Sequence, residues 1–137
     1  MDYETKIKMA CADDTAVEVL EELAVDKDWE IRDYVAENPS TPTKTLQLLA
    51  SDEDYVVRYC VAQNPNTPQE TLKLLATDEY CSVRSRVAEN PSTPLETLQQ
   101  LAIDEDSWVR HRVSQNPNRT ELIERLVLMT NYKQGVG

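Results

Sequence analysis

Four Asn-Pro pairs, Asn38-Pro39, Asn64-Pro65, Asn90-Pro91 and Asn116-Pro117, recur every 26 residues along a chain of 137. No other feature restricts the fold as strongly. A proline disfavours helical geometry at the residue before it and has no backbone N–H to donate. Each pair therefore stops a helix, and stops at equal intervals divide the chain into tandem units. Aligning the copies on Ala24, Ala50, Ala76 and Ala102 exposes further invariant columns. They are an aspartate (Asp26, Asp52, Asp78, Asp104), an aliphatic-Arg pair (Ile31-Arg32, Val57-Arg58, Val83-Arg84, Val109-Arg110) and a valine (Val35, Val61, Val87, Val113). Three copies continue with Thr-Pro and two leucines: Leu46 and Leu49, Leu72 and Leu75, Leu98 and Leu101.

These columns predict two short helices per repeat. The first begins after the aspartate, with Asp52 as N-cap and Glu53 and Asp54 favourable to the helix dipole. Val57 and Val61, four apart, share a face, and the helix stops at Asn64. The second begins at Thr67-Pro68-Gln69-Glu70, which reads as a capping box. Thr93-Pro94-Leu95-Glu96 repeats it, whereas Thr41-Pro42-Thr43-Lys44 lacks the glutamate. The few aliphatic side chains of one repeat cannot offset the entropy of ordering its backbone, so neighbours must share faces.

The expected fold is all-α: a solenoid of stacked short helix pairs, one repeat domain over residues 1–137 with repeats at 24–49, 50–75, 76–101 and 102–127. Residues 1–23 read as an N-terminal half-repeat cap. Residues 12–24 match the second half of a repeat, with Leu20 and Leu23 in the leucine columns and Glu18, Glu21 and Glu22 facing water. Residues 1–11 fit no column. In the last copy Arg119-Thr120 replaces Thr-Pro, Ile123 and Leu126 take the leucine roles, and the run Leu126 to Met129 is expected to cover the end of the core. Residues 128–137 form a C-terminal cap and tail, frayed from Lys133.

Composition excludes several classes. The only glycines are Gly135 and Gly137, which disfavours the glycine-dependent turns of sandwiches and dinucleotide-binding folds. The net charge is −11; residues 1–68 hold 6 Lys/Arg against 15 Asp/Glu, giving −9, and residues 69–137 hold 8 against 10, giving −2. So acidic a chain repels phosphate backbones, and nucleic-acid binding is not expected in general. Cys11, Cys60 and Cys81 are scattered, odd in number and without a C-x-x-C, which reads as a set of reduced, mostly buried thiols in a cytoplasmic protein. There is no signal-peptide pattern and no apolar run long enough to span a bilayer, so no membrane association is expected.

The string R-x-x-V-A-x-N-P-x-T-P-x-x-T-L-x-x-L-A-x-D fits Arg32–Asp52, Arg58–Asp78 and Arg84–Asp104 in full, and Arg110 onward in part. It resembles the leucine-rich repeat variant family over roughly residues 12–127. The resemblance implies a right-handed superhelix in which short α-helices alternate with 3₁₀ or α-helical segments. It implies no general reaction and no shared ligand. Some relatives carry an N-terminal cysteine cluster holding an iron–sulfur centre; only Cys11 lies there in this chain, so that centre is not carried over and no cofactor is expected.

Candidate sites divide into structural and variable positions. Asp26-x-Asp28, Asp52-Glu53-Asp54 and Asp104-Glu105-Asp106 lack the glycine and distal glutamate of a calcium loop, and helix capping explains them. No metal site is assigned. Arg32, Arg58, Arg84 and Arg110 read as a structural ladder onto carboxylates or junction carbonyls, against a ligand-binding row. Asn38, Asn64, Asn90 and Asn116 read as bonding backbone at the turn. His111 is the only histidine, with no nucleophile in register, so no catalytic residue is assigned and an enzyme is not expected.

The repeat does not dictate the remaining first-helix positions: Trp29, Asp33 and Tyr34; Tyr55, Tyr59 and Cys60; Tyr80, Cys81, Ser85 and Arg86; Ser107, Trp108, His111 and Arg112. Tyr, Trp and Arg are the usual anchors of interfaces. The candidate partner-binding residues are Trp29, Tyr34, Tyr55, Tyr59, Arg86, Trp108, His111 and Arg112, the alternative for Trp29 and Trp108 being packing against a neighbouring repeat. The expected function is non-catalytic binding of a protein or peptide on this surface. The alternative is a nucleic-acid or anionic-ligand module using Arg84, Arg86, Arg110, Arg112, Arg119 and Arg125.

Overall fold

The computed structural model describes residues 1–135. Among them are ten α-helices and no strand: α1 (Tyr3–Cys11), α2 (Val17–Leu23), α3 (Trp29–Glu37), α4 (Thr43–Leu49), α5 (Tyr55–Gln63), α6 (Gln69–Leu75), α7 (Cys81–Glu89), α8 (Leu95–Ala102), α9 (Ser107–Gln115) and α10 (Glu121–Lys133). The fold is all-α and built of repeated helix pairs. Both helices of each pair are α-helical, with no 3₁₀ segment among the described residues. The chain groups into two compact units, Met1–Pro68 and Gln69–Gly137. In the first, α1 packs on α3 and α3 on α5, with α2 and α4 in contact with them. In the second, α7 packs on α9, and α10 closes over α8 and α9.

The core is the set of apolar columns. Ile31, Val57, Val83, Val109, Val35, Val61, Val87 and Val113 are buried, and so are the leucine pairs from Leu20 and Leu23 to Leu98 and Leu101. Burial of this kind is worth roughly 1.5–3 kcal/mol per aliphatic side chain.

First helices end as the prolines require. Asn38, Asn64, Asn90 and Asn116 sit at the C-caps with extended backbone, φ from −66 to −64° and ψ from 123 to 130°. Among the described residues no non-glycine residue has positive φ, and Gly135 alone does, at 73°, so the turns between the helices need no glycine. Three of these asparagines, Asn38, Asn64 and Asn116, bond in two directions. The Asn64 Oδ1 accepts from the Asn66 N–H at 2.9 Å, while its Nδ2 donates to the Ala36 and Asn38 carbonyls one repeat earlier at 2.8 and 3.2 Å. Asn116 makes the same pair of bonds to Ala88 and Asn90, and Asn38 to Ala10 and Ala12.

Three local expectations are corrected. The N-cap of α5 is Asp54, whose side chain accepts from the Val56 N–H at 2.9 Å, not Asp52. The Asp52 carboxylate is turned toward Arg32 and the Asp54 N–H instead. The Thr-Pro sites form no capping box: Thr41, Thr67 and Thr93 are buried and donate their hydroxyls back to Val35, Val61 and Val87 carbonyls at 2.6 Å, a second and shorter bond to acceptors that the C-cap asparagine N–H reaches at 3.2 Å. Only Thr120, in the copy without the proline, caps in the expected sense, accepting from Ile123. At the C-terminal end, Ile123 and Val127 are the buried pair, four apart, while Leu126 is half-buried and Leu128 and Met129 are exposed.

Residues 1–23 hold both helices of a repeat rather than half of one. Asp2 caps α1 by accepting from the Thr5 N–H at 2.8 Å, Lys6 meets Asp26 at 2.5 Å as Arg32 meets Asp52, and Ala10 is buried at the position of Ala36. The register is 26 residues, but lysine stands for arginine and Met9 for valine, which hides the match. The frayed tail expected from Lys133 is described only to Gly135, and α10 runs through Lys133; residues 136–137 lie outside the described residues.

Candidate functional site

First helices carry two stripes outside the invariant apolar columns. One runs through the first residue of the helix and those four and eight later: Trp29, Asp33 and Glu37 on α3; Tyr55, Tyr59 and Gln63 on α5; Cys81, Ser85 and Glu89 on α7; Ser107, His111 and Gln115 on α9. The other starts one residue on, with Tyr34, Cys60, Arg86 and Arg112 at corresponding places.

In the first unit Tyr3, Trp29 and Tyr55 occupy the same register position on α1, α3 and α5, which pack in sequence. They remain 47, 41 and 42% exposed, so these aromatics are surface groups rather than core groups. Tyr34 and Tyr59 are half-buried beside them. Tyr3 was missed by reasoning from the sequence because residues 1–11 fitted no column, although its 26-residue spacing to Trp29 is legible in the numbering. Its hydroxyl donates to Glu30 Oε2, and that bond pushes the phenol pKa up to about 12. Around this row lie Glu30, Asp33 and Glu37, in the half of the chain that carries −9.

In the second unit the structure brings Arg86, Trp108, His111 and Arg112 together. Arg86 and Arg112 reach Glu89 at 2.6 and 2.7 Å. The Arg112 guanidinium lies 4.5 Å from the Trp108 ring centre, and His111 stacks on Trp108 with centroids 5.3 Å apart. Trp108 is 51% and Tyr80 44% exposed. Two of the variable positions are not surface groups at all: Cys60 and Ser85 are buried, Ser85 donating to the Ser82 carbonyl of its own helix at 2.7 Å. Cys11 and Cys81 are exposed, which corrects the expectation of mostly buried thiols.

Arginines of the invariant column are turned into the fold. Arg32 meets Asp52 through Nε and Nη2 at 2.7 and 3.0 Å, a bidentate pair, and its Nη1 donates to the Asp26 carbonyl at 2.8 Å. Arg84 repeats the arrangement with Asp104 and the Asp78 carbonyl. These hydrogen bonds hold both guanidinium pKa values above their ordinary value. Arg58 donates to the Asp52 carbonyl at 2.8 Å. Arg110 is fully buried, bonded to the Asp104 carbonyl and to Asn131. Arg119 and Arg125 pair with Glu124 and Glu121, both at 2.8 Å.

Between α3 and α5 lies a different kind of cluster. A carboxylate oxygen from each of Asp33 and Glu37 and the Cys60 sulfur all lie within 4.8 Å of one another. The Cys60 thiol donates to Glu37 Oε1 at 3.6 Å. Burial, reinforced by Asp33 and Glu37, pushes this thiol far up, and burial raises Asp33. A groove of about 290 Å³ opens beside it, lined by Glu37, Cys60, Gln63, Asn64 and Pro65. The signal in the sequence is faint: two acids four apart, and a cysteine at an otherwise variable place one repeat on. Searches of family models, curated proteins and solved structures find no match to the chain.

Proposed function

We propose that this chain is a non-catalytic binding module that takes a protein or peptide partner on the variable first-helix face, and that in the first unit the partner segment is basic. The observation carrying this reading is the row Tyr3, Trp29 and Tyr55, each more than 40% exposed on helices held rigidly by the core, flanked by Glu30, Asp33 and Glu37. Large aromatics left in water on a regular scaffold are what an interface anchor requires, and the acidic surround selects the sign of charge. The anionic-ligand alternative loses support from the geometry, since Arg84, Arg86, Arg110, Arg112, Arg119 and Arg125 all have carboxylate or amide partners within the second unit.

We also infer membership of the leucine-rich repeat variant family and, with it, a right-handed superhelix; the support is the long tandem motif together with the paired short helices.

The test is affinity capture with quantitative mass spectrometry, comparing the wild-type chain with Trp29→Ala/Tyr55→Ala and with Trp108→Ala. Proteins lost from the double variant but retained by a Gln69→Ala control, with unchanged circular dichroism, identify partners of the first-unit face. Capture indifferent to all three changes defeats the reading. Binding of oligonucleotides at low salt that weakens steeply with added salt would favour the alternative instead.

A further inference from the structure

We propose that Asp33, Glu37 and Cys60 form a binding site for one divalent transition-metal ion of the zinc class, with two carboxylate oxygens and a thiolate as ligands and the remaining position open to the adjoining groove. The site shares Asp33 and Glu37 with the acidic surround of the partner-binding reading, but it is argued from ligand geometry and its test reads metal binding alone. The first support is spacing. Tetrahedral zinc with a sulfur ligand at about 2.3 Å and an oxygen at about 2.0 Å places those two atoms about 3.5 Å apart. Cys60 Sγ and Glu37 Oε1 are 3.6 Å apart, and the third ligand atom lies within 4.8 Å of both.

The second support is an orphaned atom. Asp33 Oδ1 is buried with no hydrogen-bond partner among the described residues. Buried carboxylate oxygens are nearly always satisfied, and a carboxylate that holds an unsatisfied one beside a thiol and a second carboxylate is relieved by a cation. Neither Asp33 nor Glu37 forms an ion pair with a cationic side chain among the described residues.

The third support comes from the molecule's own repeat. Moving 52 residues along, Glu37 corresponds to Glu89, Cys60 to Arg112, Tyr34 to Arg86 and Asp33 to Ser85. In the second unit the carboxylate is met by two guanidiniums, at 2.6 and 2.7 Å, and the second acid is absent. In the first unit the two arginine positions hold tyrosine and cysteine, and an extra acid is present. The same place in the register therefore receives a built-in cation in one unit and offers three ligands to a free one in the other.

The donor set decides which ion. Calcium and magnesium take oxygen ligands and no thiolate, whereas zinc, cobalt(II) and cadmium accept a mixed sulfur and oxygen set. Binding exchanges the thiol proton for the metal: the S–H bond breaks, a sulfur–metal bond forms, the proton leaves to solvent, and no electron is transferred.

The experiment uses the full reduced chain under anaerobic conditions, titrated with cobalt(II). Binding gives a sulfur-to-cobalt charge-transfer band in the near ultraviolet, and zinc(II) added afterwards bleaches it while magnesium does not. Cys60→Ser abolishes the band. Glu37→Gln, at an exposed position where folding is unaffected, and Asp33→Asn each weaken cobalt binding at least ~10-fold. Cys11→Ser and Cys81→Ser leave it unchanged. No band at millimolar cobalt overturns the site, and so does a band that survives Cys60→Ser or is indifferent to both carboxylate changes.

Discussion

Arg110 Nε donates to Asn131 Oδ1 at 2.7 Å, at the place where Arg32 and Arg84 each meet an aspartate. The fully buried Arg110 thus has an amide where the other two have a carboxylate, and its Nη2 has no hydrogen-bond partner among the described residues. A buried cation without a counter-charge is among the costliest features a fold can carry. Asn131→Asp supplies the missing charge at the same size. The new negative charge lies near the C-terminus of α10, which costs roughly 0.3–1 kcal/mol through the helix dipole. A charge-assisted bond to Arg110 outweighs that, so a net gain of about 1 kcal/mol or more is expected. A urea midpoint that does not rise would show that the guanidinium is satisfied some other way.

Asp52 and Asp54 are two residues apart and do different work. Removing Asp52 strands Arg32, buried, without its bidentate partner, which should cost about 3–5 kcal/mol. Removing the Asp54 side chain loses one cap bond to the Val56 N–H, worth about 0.5–2 kcal/mol. Equilibrium unfolding of Asp52→Ala and Asp54→Ala should rank them in that order. The reverse order would return the capping role to Asp52.

Much of this was written in the 26-residue period. The stop at each Asn-Pro pair, the buried valines and the leucine pairs follow from local rules and could be placed before any coordinates. What could not be placed was direction. Asn64 belongs to its turn through Oδ1 but reaches the preceding repeat through Nδ2, and Thr67 looks like a cap yet donates backward to Val61. Both outcomes depend on which carbonyl lies nearest in space. The N-terminal helix is hidden in the sequence because Lys6 stands where the other copies have arginine, and Met9, exposed, where they have a buried valine. The site residues were least legible: Cys60 and Ser85 sit at variable places but are buried, and only stacking brings Asp33 and Glu37 to the Cys60 thiol.

Leu72 is fully buried in α6, and Gln69 at its start is exposed. Leu72→Ala deletes a core side chain that close neighbours cannot refill, at a cost of about 2–5 kcal/mol. Gln69→Ala should fall within about 0.5 kcal/mol of wild type, as surface substitutions do. Chemical denaturation measures both, and similar small effects would remove the leucine column from the core.

Lys6 and Asp26, 2.5 Å apart, tie α1 to the loop before α3, and the pair sets an acid limit on the first unit. The Lys6 hydrogen bond, then the Asp28 N–H, hold the Asp26 carboxyl below its ordinary value of 3.8. A carboxylate depressed in this way binds its proton more weakly in the fold than in the unfolded chain. Its stabilising contribution is complete above pH 3.8 and drains away as the pH falls through that value and the lower folded one. Lys6→Met should therefore be less stable than wild type at pH 7, and the gap should narrow as the pH drops below about 4. Thermal unfolding of both proteins from pH 7 down to the acid transition reads the gap directly. A gap that stays constant across that range would mean that Lys6 stabilises through its aliphatic stem rather than through the ion pair.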